Sequence, residues 1–264
     1  MEEIDRLRRS HFGDIPEATA ADISAVLTRI GQQTLALLFR HSRKPIESEM
    51  TTAAAVFYHR FFLRESPVVF HPRAVLIACI HLSTKTEEFH AISLSDLVSS
   101  LPDAEGLKVQ IPKIEMRLLS AIDFDLIVEQ PWQVALFWAD ELKHVSDMYL
   151  RVYDVTCELL RVWQWTDAIS TFSFPKLATA AIVKACVLVD SQMGSPEDVG
   201  DTLHSHMFRI VGEKLPSIDV NSLVNEVESV VNRFGKFDRI LKDPEIEATP
   251  GYQAIIRGMQ EGGS

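Results

Sequence analysis

The sequence predicts an all-α fold built from two tandem units of five helices. Apolar residues recur at intervals of three and four along most of the 264 residues, whereas the alternating pattern of half-buried strands hardly occurs. Each half contains one strongly apolar helix that begins at a proline, Pro72 in the first and Pro175 in the second. A loop precedes each of these helices, and a short fourth helix and a longer fifth helix follow it. This shared order indicates an internal repeat of roughly 100 residues.

The first unit is predicted to centre on its third helix. Residues 74–80 of that helix are uninterruptedly apolar, so the helix must be covered on nearly all sides. Lys85 closes it with a cation near the negative end of the helix dipole. The predicted helices of this unit span residues 20–41, 47–64, 72–86, 93–101 and 108–122, with a break at Pro45.

The second unit repeats this arrangement after a break in the helical pattern at residues 123–131. Its predicted helices span residues 131–145 and 148–165, a segment that begins at Phe174-Pro175, and residues 195–207 and 219–234. The predicted organisation is an N-terminal segment 1–19, a first repeat 20–126, a second repeat 131–237 and a C-terminal tail 238–264.

Composition and charge argue against several classes of function. A net charge of −11 and a pI of about 5.3 oppose a nucleic-acid-binding surface, which needs clustered Lys and Arg. The longest apolar run is far shorter than the roughly 20 residues that cross a bilayer, and the charged start does not resemble a signal peptide. Three widely spaced cysteines in apolar helices predict buried thiols in a reducing compartment. We therefore expect an intracellular, soluble protein with no membrane contact.

Catalytic and metal-binding motifs are absent from the sequence. The eleven glycines form no phosphate-binding loop, and neither HExxH, CxxC nor GxSxG occurs. His204 and His206 are two residues apart and therefore point to different faces of a helix, which does not favour a shared metal. The sequence thus predicts no catalytic residue, no metal and no cofactor.

One carboxylate lies on an apolar helix face. Glu115 is four residues from both Ile111 and Leu119 in the fifth helix, where burial costs several kcal/mol unless a cation and hydrogen bonds compensate. Lys85 is the candidate partner, because the third and fifth helices must be neighbours. Three interpretations remain open: an internal ion pair, a glutamate that reaches water at the edge of the face, or a charged pair presented to the backbone of another protein. The second repeat has Leu188 where the first has Lys85, which suggests a function confined to the first repeat.

The segment from Ala53 to Phe89 resembles the cyclin box. The resemblance rests on the signature Leu82-Ser83-Thr84-Lys85-Thr86-Glu87-Glu88, on Glu115–Leu119 and on Phe124–Leu126, and it extends over residues 20–240. Within the family the chain is most similar to the transcription-type cyclins, on the segments Tyr58–Phe62, Phe70–Arg73 and Gln130–Trp132. Among these the H type fits best, and the C type and the other transcriptional cyclins are the alternatives.

The resemblance implies a regulatory subunit that has no active site of its own. Such a subunit binds the catalytic subunit of a cyclin-dependent kinase and holds the regulatory helix of that kinase inward. Lys85 would donate to main-chain carbonyls just before this helix, Glu115 would fix the Lys85 side chain, and Glu88 belongs to the same signature. The implied apolar seat for the kinase helix consists of Leu82, Leu119, Phe124 and Leu126. Plain core packing is the alternative role for these four side chains.

The resemblance also bears on a further partner and on location, and two rival functions stand beside the regulatory subunit. The resemblance leaves room for an assembly factor as a third subunit, and it implies a nuclear and/or cytoplasmic location. A general transcription factor of the TFIIB kind shares the two-repeat helical fold, but it should carry a basic groove and a zinc ribbon, which the charge and the cysteine spacing do not support. A helical enzyme without a known motif is the third alternative.

Overall fold

The chain folds into two compact helical units. The structure, a computed structural model, describes residues 6, 20–41, 46–89, 92–99, 101, 104–193, 202–232 and 247–261. The first unit comprises Met1–Val128 together with Phe234–Ser264, and the second comprises Glu129–Arg233. Over the described residues every regular element is a helix. The predicted all-α fold with two tandem five-helix repeats is therefore confirmed.

The first unit packs four helices against a central one. Its first five helices are α1 (Ala20–His41), α2 (Ser48–Phe61), α3 (Pro72–Thr86), α4 (Leu94–Val98) and α5 (Ala104–Ala121). Helix α3 contacts each of the other four. Every residue from Val75 to Ile80 is fully buried, as the apolar run predicts. The predicted break at Pro45 lies outside the described residues.

The second unit places its third helix at the centre in the same way. Its helices are α6 (Pro131–Lys143), α7 (Tyr149–Trp163), the short α8 (Ala168–Thr171), α9 (Phe174–Met193), α10 (Leu203–Lys214) and α11 (Val220–Val231). Helix α9 contacts all the others. The indole Nε1 of Trp138 donates to the Oγ1 of Thr179 over 2.9 Å and links α6 to α9 inside the core.

Several predicted helix boundaries were wrong. Helix α10 ends at Lys214 rather than at residue 207. Thr202 is its N-terminal cap, because the Oγ1 of Thr202 accepts a hydrogen bond from the backbone N–H of Ser205. The predicted residues 195–201 lie outside the described part of the chain. Helix α4 is shorter than predicted and is bounded by a capping box between Ser93 and Asp96.

A helix near the C-terminus, not predicted from the sequence, belongs to the first unit. This helix, α12 (Pro250–Glu261), contacts α1. Arg29, which is 6% exposed, forms an ion pair with Glu247 and lies over the ring of Tyr252. Ile255 is fully buried. Val68 packs closely against Gly258, so that a Cβ added at position 258 would lie only 3.0 Å from the Cγ1 of Val68.

Two further findings concern membranes and metals. Among the described residues, no helix has both the length and the apolar character needed to span a membrane. The same part of the chain contains no group of three or more His, Cys, Asp or Glu side chains placed to hold a metal ion. The three cysteines are buried free thiols, as predicted.

Candidate functional site

The candidate site lies at the C-terminal end of α3, whose position is fixed at both ends. Pro72 occupies its first turn, and the Nδ1 of His71 caps it by accepting a hydrogen bond from the backbone N–H of Arg73 over 3.2 Å. At the other end Lys85 lies in the last turn, where a cation complements the helix dipole. Glu88 follows the end of the helix in the left-handed region, with φ of 60°, and is exposed.

Glu115 joins α5 to α3 through two basic side chains. One of its carboxylate oxygens pairs with the Nζ of Lys85, and the other lies 3.1 Å from the Nδ1 of His81. His81 and Lys85 are four residues apart and therefore lie on the same face of α3. Glu115 is 7% exposed, whereas 51% of the Lys85 side chain is exposed. The predicted ion pair is present, and its anchor is the buried glutamate.

The electrostatics of this cluster fix the protonation of Glu115. Burial by itself raises the pKa of this carboxyl, but the hydrogen bonds from His81 and Lys85 outweigh burial and hold the pKa below its ordinary value. Glu115 is therefore ionised at neutral pH and accepts hydrogen bonds at both oxygens. An ionised carboxylate offers no hydrogen, so the Nδ1 of His81 must carry the proton of this contact.

The second unit contains an ion pair between its equivalent helices. The Nζ of Lys184 on α9 lies 2.6 Å from a carboxylate oxygen of Glu228 on α11. Counted from the opening proline of each helix, Lys184 occupies the position of His81, one turn before Leu188. The second repeat therefore also has an ion pair between its third and fifth helices, although position 188 is a leucine. What distinguishes the first repeat is a buried glutamate shared by two basic side chains.

The four predicted apolar residues differ in their exposure. Leu82 is 4% exposed and belongs to the core of the first unit, while Leu119 and Leu126 are half-buried. Phe124 is 64% exposed and follows α5 with φ of 57°, its backbone N–H donating to the carbonyl of Leu119 over 3.0 Å. Phe124 is therefore an exposed aromatic side chain just after α5, the helix that carries Glu115.

Comparison with known proteins identifies this part of the chain. The cyclin N-terminal domain family matches residues 32–127, which include the Lys85–Glu115 pair and Phe124. The chain contains a cyclin N-terminal domain. Cyclin-H from Xenopus laevis is 31% identical over 84 residues, which make up 30% of this chain and 26% of that protein. Cyclin-C from Drosophila melanogaster is 26% identical over 157 residues, 54% of this chain and 57% of that protein. The chain therefore spans less than two thirds of the length of these curated relatives.

Solved structures extend the likeness beyond the N-terminal cyclin domain. A chain in the structure of the CAK complex from Chaetomium thermophilum bound to ATP-gamma-S has a TM-score of 0.73 at 17% identity, covering 99% of this chain and 84% of that one. A chain of the yeast TFIIK (Kin28/Ccl1/Tfb3) complex has a TM-score of 0.64 at 18% identity, covering 87% and 93%. At this identity the likeness establishes the fold over both repeats.

Proposed function

We propose that this chain is a non-catalytic regulatory subunit that binds and activates a cyclin-dependent kinase in a transcription-linked complex. The observation that carries the proposal is the Lys85–Glu115 pair within the cyclin domain. The catalytic residues would all belong to the kinase. The role of the cyclin chain is to hold the regulatory helix of the kinase in the position that completes the kinase's own lysine–glutamate pair.

Lys85 is suited to bind backbone carbonyls of a partner. An ammonium group has three N–H donors, and the described contacts give one of them to Glu115. Half of the side chain is exposed, so a partner can reach the ammonium group and its remaining donors. Because Glu115 already holds the side chain, binding costs less conformational entropy than ordering a mobile lysine.

Apolar side chains beside this pair would form the seat for the kinase helix. Phe124 supplies the exposed aromatic ring, and the half-buried Leu119 and Leu126 lie on the same stretch of chain. Leu82 is covered by its own unit and supports the seat from beneath, and Glu88 adds a carboxylate at the rim. Aromatic residues, Phe included, are enriched in the buried cores of protein interfaces, so Phe124 is the side chain that we expect the kinase helix to cover. A regulatory interface of this kind should bury on the order of 2,000 Å² or more.

The solved complexes suggest the setting in which the chain acts. The yeast TFIIK structure contains Kin28, Ccl1 and Tfb3, and yeast cyclin CCL1 is 24% identical to this chain over 149 residues. By analogy we propose a kinase partner and an assembly factor as a third subunit, located in the nucleus. A fluorescent fusion that remained outside the nucleus in its own cells would contradict the proposed location.

The test is purification of the tagged chain from its own cells, followed by identification of the bound proteins and a kinase assay on the eluate. We expect one cyclin-dependent kinase in near-equal amount. Lys85→Glu should remove at least 90% of the bound kinase, since it places a second carboxylate beside Glu115 and removes the donors (about 1.4 kcal/mol per tenfold change in affinity). Lys184→Glu is the matched control, because it breaks an ion pair between the equivalent helices of the second repeat.

A second variant separates binding from folding. Lys85→Glu also disturbs Glu115, so Phe124→Ala is measured beside it; a side chain that is 64% exposed contributes little to folding. We expect Phe124→Ala to lose kinase binding with an unchanged melting temperature, while Leu150→Ala, an exposed residue of the second unit, retains binding. Normal kinase binding by both Lys85→Glu and Phe124→Ala would refute the site. An eluate without a kinase would refute the function.

A further inference from the structure

A cavity that the proposed function does not use lies beside the end of α5. It has a volume of about 860 Å³, and it is lined by the end of α2, the segment that follows α2, the last turn of α5, and Ile122, Asp123 and Asp125. Three arginines converge on it, Arg60 and Arg64 from the α2 side and Arg117 from α5. All of these residues belong to the first unit.

Each arginine has one carboxylate partner in the cavity wall. Arg60 pairs with Asp125 over 2.9 Å and also donates to its carbonyl over 3.0 Å. Arg64 pairs with Asp123 over 2.5 Å, and Arg117 pairs with Glu65 over 2.5 Å. The wall is therefore electrically balanced as long as all three carboxylates remain in place.

The three carboxylates are not held equally. The Glu65 side chain is 13% exposed and is fixed by burial, whereas those of Asp123 and Asp125 are 69% and 58% exposed. Exposed ion pairs contribute little to stability, because water and salt screen them and ordering the side chains costs entropy. Asp123 and Asp125 can therefore turn into solvent at low cost while Glu65 keeps Arg117 in position.

The site that opens in this way has the chemistry of a phosphate receptor. A guanidinium has five N–H donors in a planar fork that matches two oxygens of a phosphate, and most of the donors of Arg60 and Arg64 are not used by the described contacts. A phosphate dianion brings nearly two negative charges and three acceptor oxygens on one group, so it can accept charge-assisted hydrogen bonds from both arginines at once. The cavity wall contains no aromatic ring on which a nucleotide base could stack, and its apolar part consists of Leu63, Ala121 and Ile122.

We propose that this cavity binds the phosphate group of a phosphorylated serine or threonine side chain. Arg60 and Arg64 take the phosphate oxygens after Asp123 and Asp125 have turned away, and Arg117 adds a third positive charge. Asp123 and Asp125 flank Phe124 in the chain, so the bound phosphopeptide lies next to the proposed kinase seat. The proposal does not depend on that seat.

The test is a titration of the full chain with the peptide acetyl-Gly-Gly-phosphoserine-Gly-Gly-amide, observed at the arginine Nε–H resonances by NMR. We expect saturable shifts of the Arg60 and Arg64 signals with the phosphopeptide and none with the serine peptide. Inorganic phosphate at the same concentrations should bind at least about threefold more weakly, because it lacks the contacts of the peptide backbone. Arg64→Gln should weaken phosphopeptide binding at least about tenfold, while Arg209→Gln, an exposed arginine of α10, should not change it.

The most decisive variant is Asp123→Asn, which should strengthen binding. It removes the carboxylate that competes for Arg64, and asparagine tolerates the left-handed backbone at this position, where φ is 55°. We expect affinity to rise at least about threefold. A residue with a purely structural role would not produce an increase. The proposal would be overturned if the wild-type protein showed no phosphate-dependent shifts, or if Asp123→Asn left the affinity unchanged. Equal affinity for inorganic phosphate and for the phosphopeptide would overturn the assignment to a phosphorylated side chain.

Discussion

Glu115 couples the folding of the first unit to pH. The pKa of its carboxyl is below the ordinary value of 4.5 in the folded chain, so between these two pKa values the unfolded chain binds more protons. The stabilising contribution of Glu115 is therefore complete above about pH 4.5 and is lost as the pH falls through the lower, folded-state pKa. His81 and Lys85 are the basic side chains that produce this dependence.

Glu115→Gln tests this coupling. An amide keeps the size of the side chain but loses the charge, so we expect the free energy of unfolding at pH 7 to fall by about 1 to 3 kcal/mol. The loss of stability between pH 7 and pH 3 should be smaller in the variant than in the wild type, because the contribution of Glu115 is lost only below about pH 4.5. Urea denaturation at the two pH values measures both effects. Glu105→Gln, in an exposed pair with Lys108, is the control and should change stability by less than about 0.5 kcal/mol; an unchanged pH dependence in Glu115→Gln would contradict the prediction.

The sequence predicted part of this cluster. A carboxylate on an apolar helix face needs a cation, and Lys85 at the end of a neighbouring helix could be named before any coordinates. His81 was missed, although it stands four residues before Lys85 and that spacing was the available signal. Lys184–Glu228 was missed because the comparison of the repeats considered position 188 alone, while the link between α9 and α11 forms one turn earlier. The register between two helices depends on their packing, which a single sequence does not display.

At the scale of the element, α3 is the helix on which the first unit depends. Ile77 is fully buried at its centre. Ile77→Ala should lower the free energy of unfolding by about 2 to 5 kcal/mol, since it removes buried methyl groups and leaves a cavity. Ile77→Val should cost about 0.5 to 1.5 kcal/mol. Chemical denaturation gives both values, and Val69→Ala, at a side chain that is 65% exposed, is the control. If Ile77→Ala lowered the free energy of unfolding by less than Ile77→Val does, α3 would not be tightly packed at this position.

The helix boundaries show where local sequence is sufficient and where it is not. The start of α3 was predicted correctly because Pro72 marks it locally. The start of α10 depends in part on Asp190, whose carboxylate accepts the backbone N–H groups of Leu203 and His204 over 3.1 and 3.0 Å. A cap supplied from another helix, more than ten residues earlier, leaves no mark in the residues around Leu203.

At the scale of the whole molecule, the first unit is assembled from both ends of the chain. The fully buried Ile255 of α12 lies in the unit that contains α1. Ile255→Ala should destabilise that unit by about 2 to 5 kcal/mol through the cavity it leaves. Hydrogen exchange should show faster exchange of the α1 amides and unchanged exchange in α9. Met193→Ala, at a side chain that is 61% exposed, is the control, and equal acceleration in both helices would contradict separate units.

The repeat pattern predicted the two-unit architecture, but it did not predict α12. Helices α1–α5 each follow from a pattern within the first half of the sequence, whereas α12 acquires its place through contacts with α1, more than 200 residues earlier in the chain. The contacts of Arg29 with Glu247 and Tyr252 could not be predicted from spacing, because nothing in the sequence between them indicates that the two segments meet.

This return of the C-terminal segment has a consequence for biosynthesis. The ribosome releases the first five helices long before it has made the helix that completes their unit, and at roughly 5–20 residues per second the delay lasts on the order of ten seconds or more. During that time the surface of α1 that will receive Tyr252 and Ile255 is uncovered. A nascent chain stalled near residue 240 should therefore bind chaperones through this surface, whereas the full chain, with α12 in place, should not.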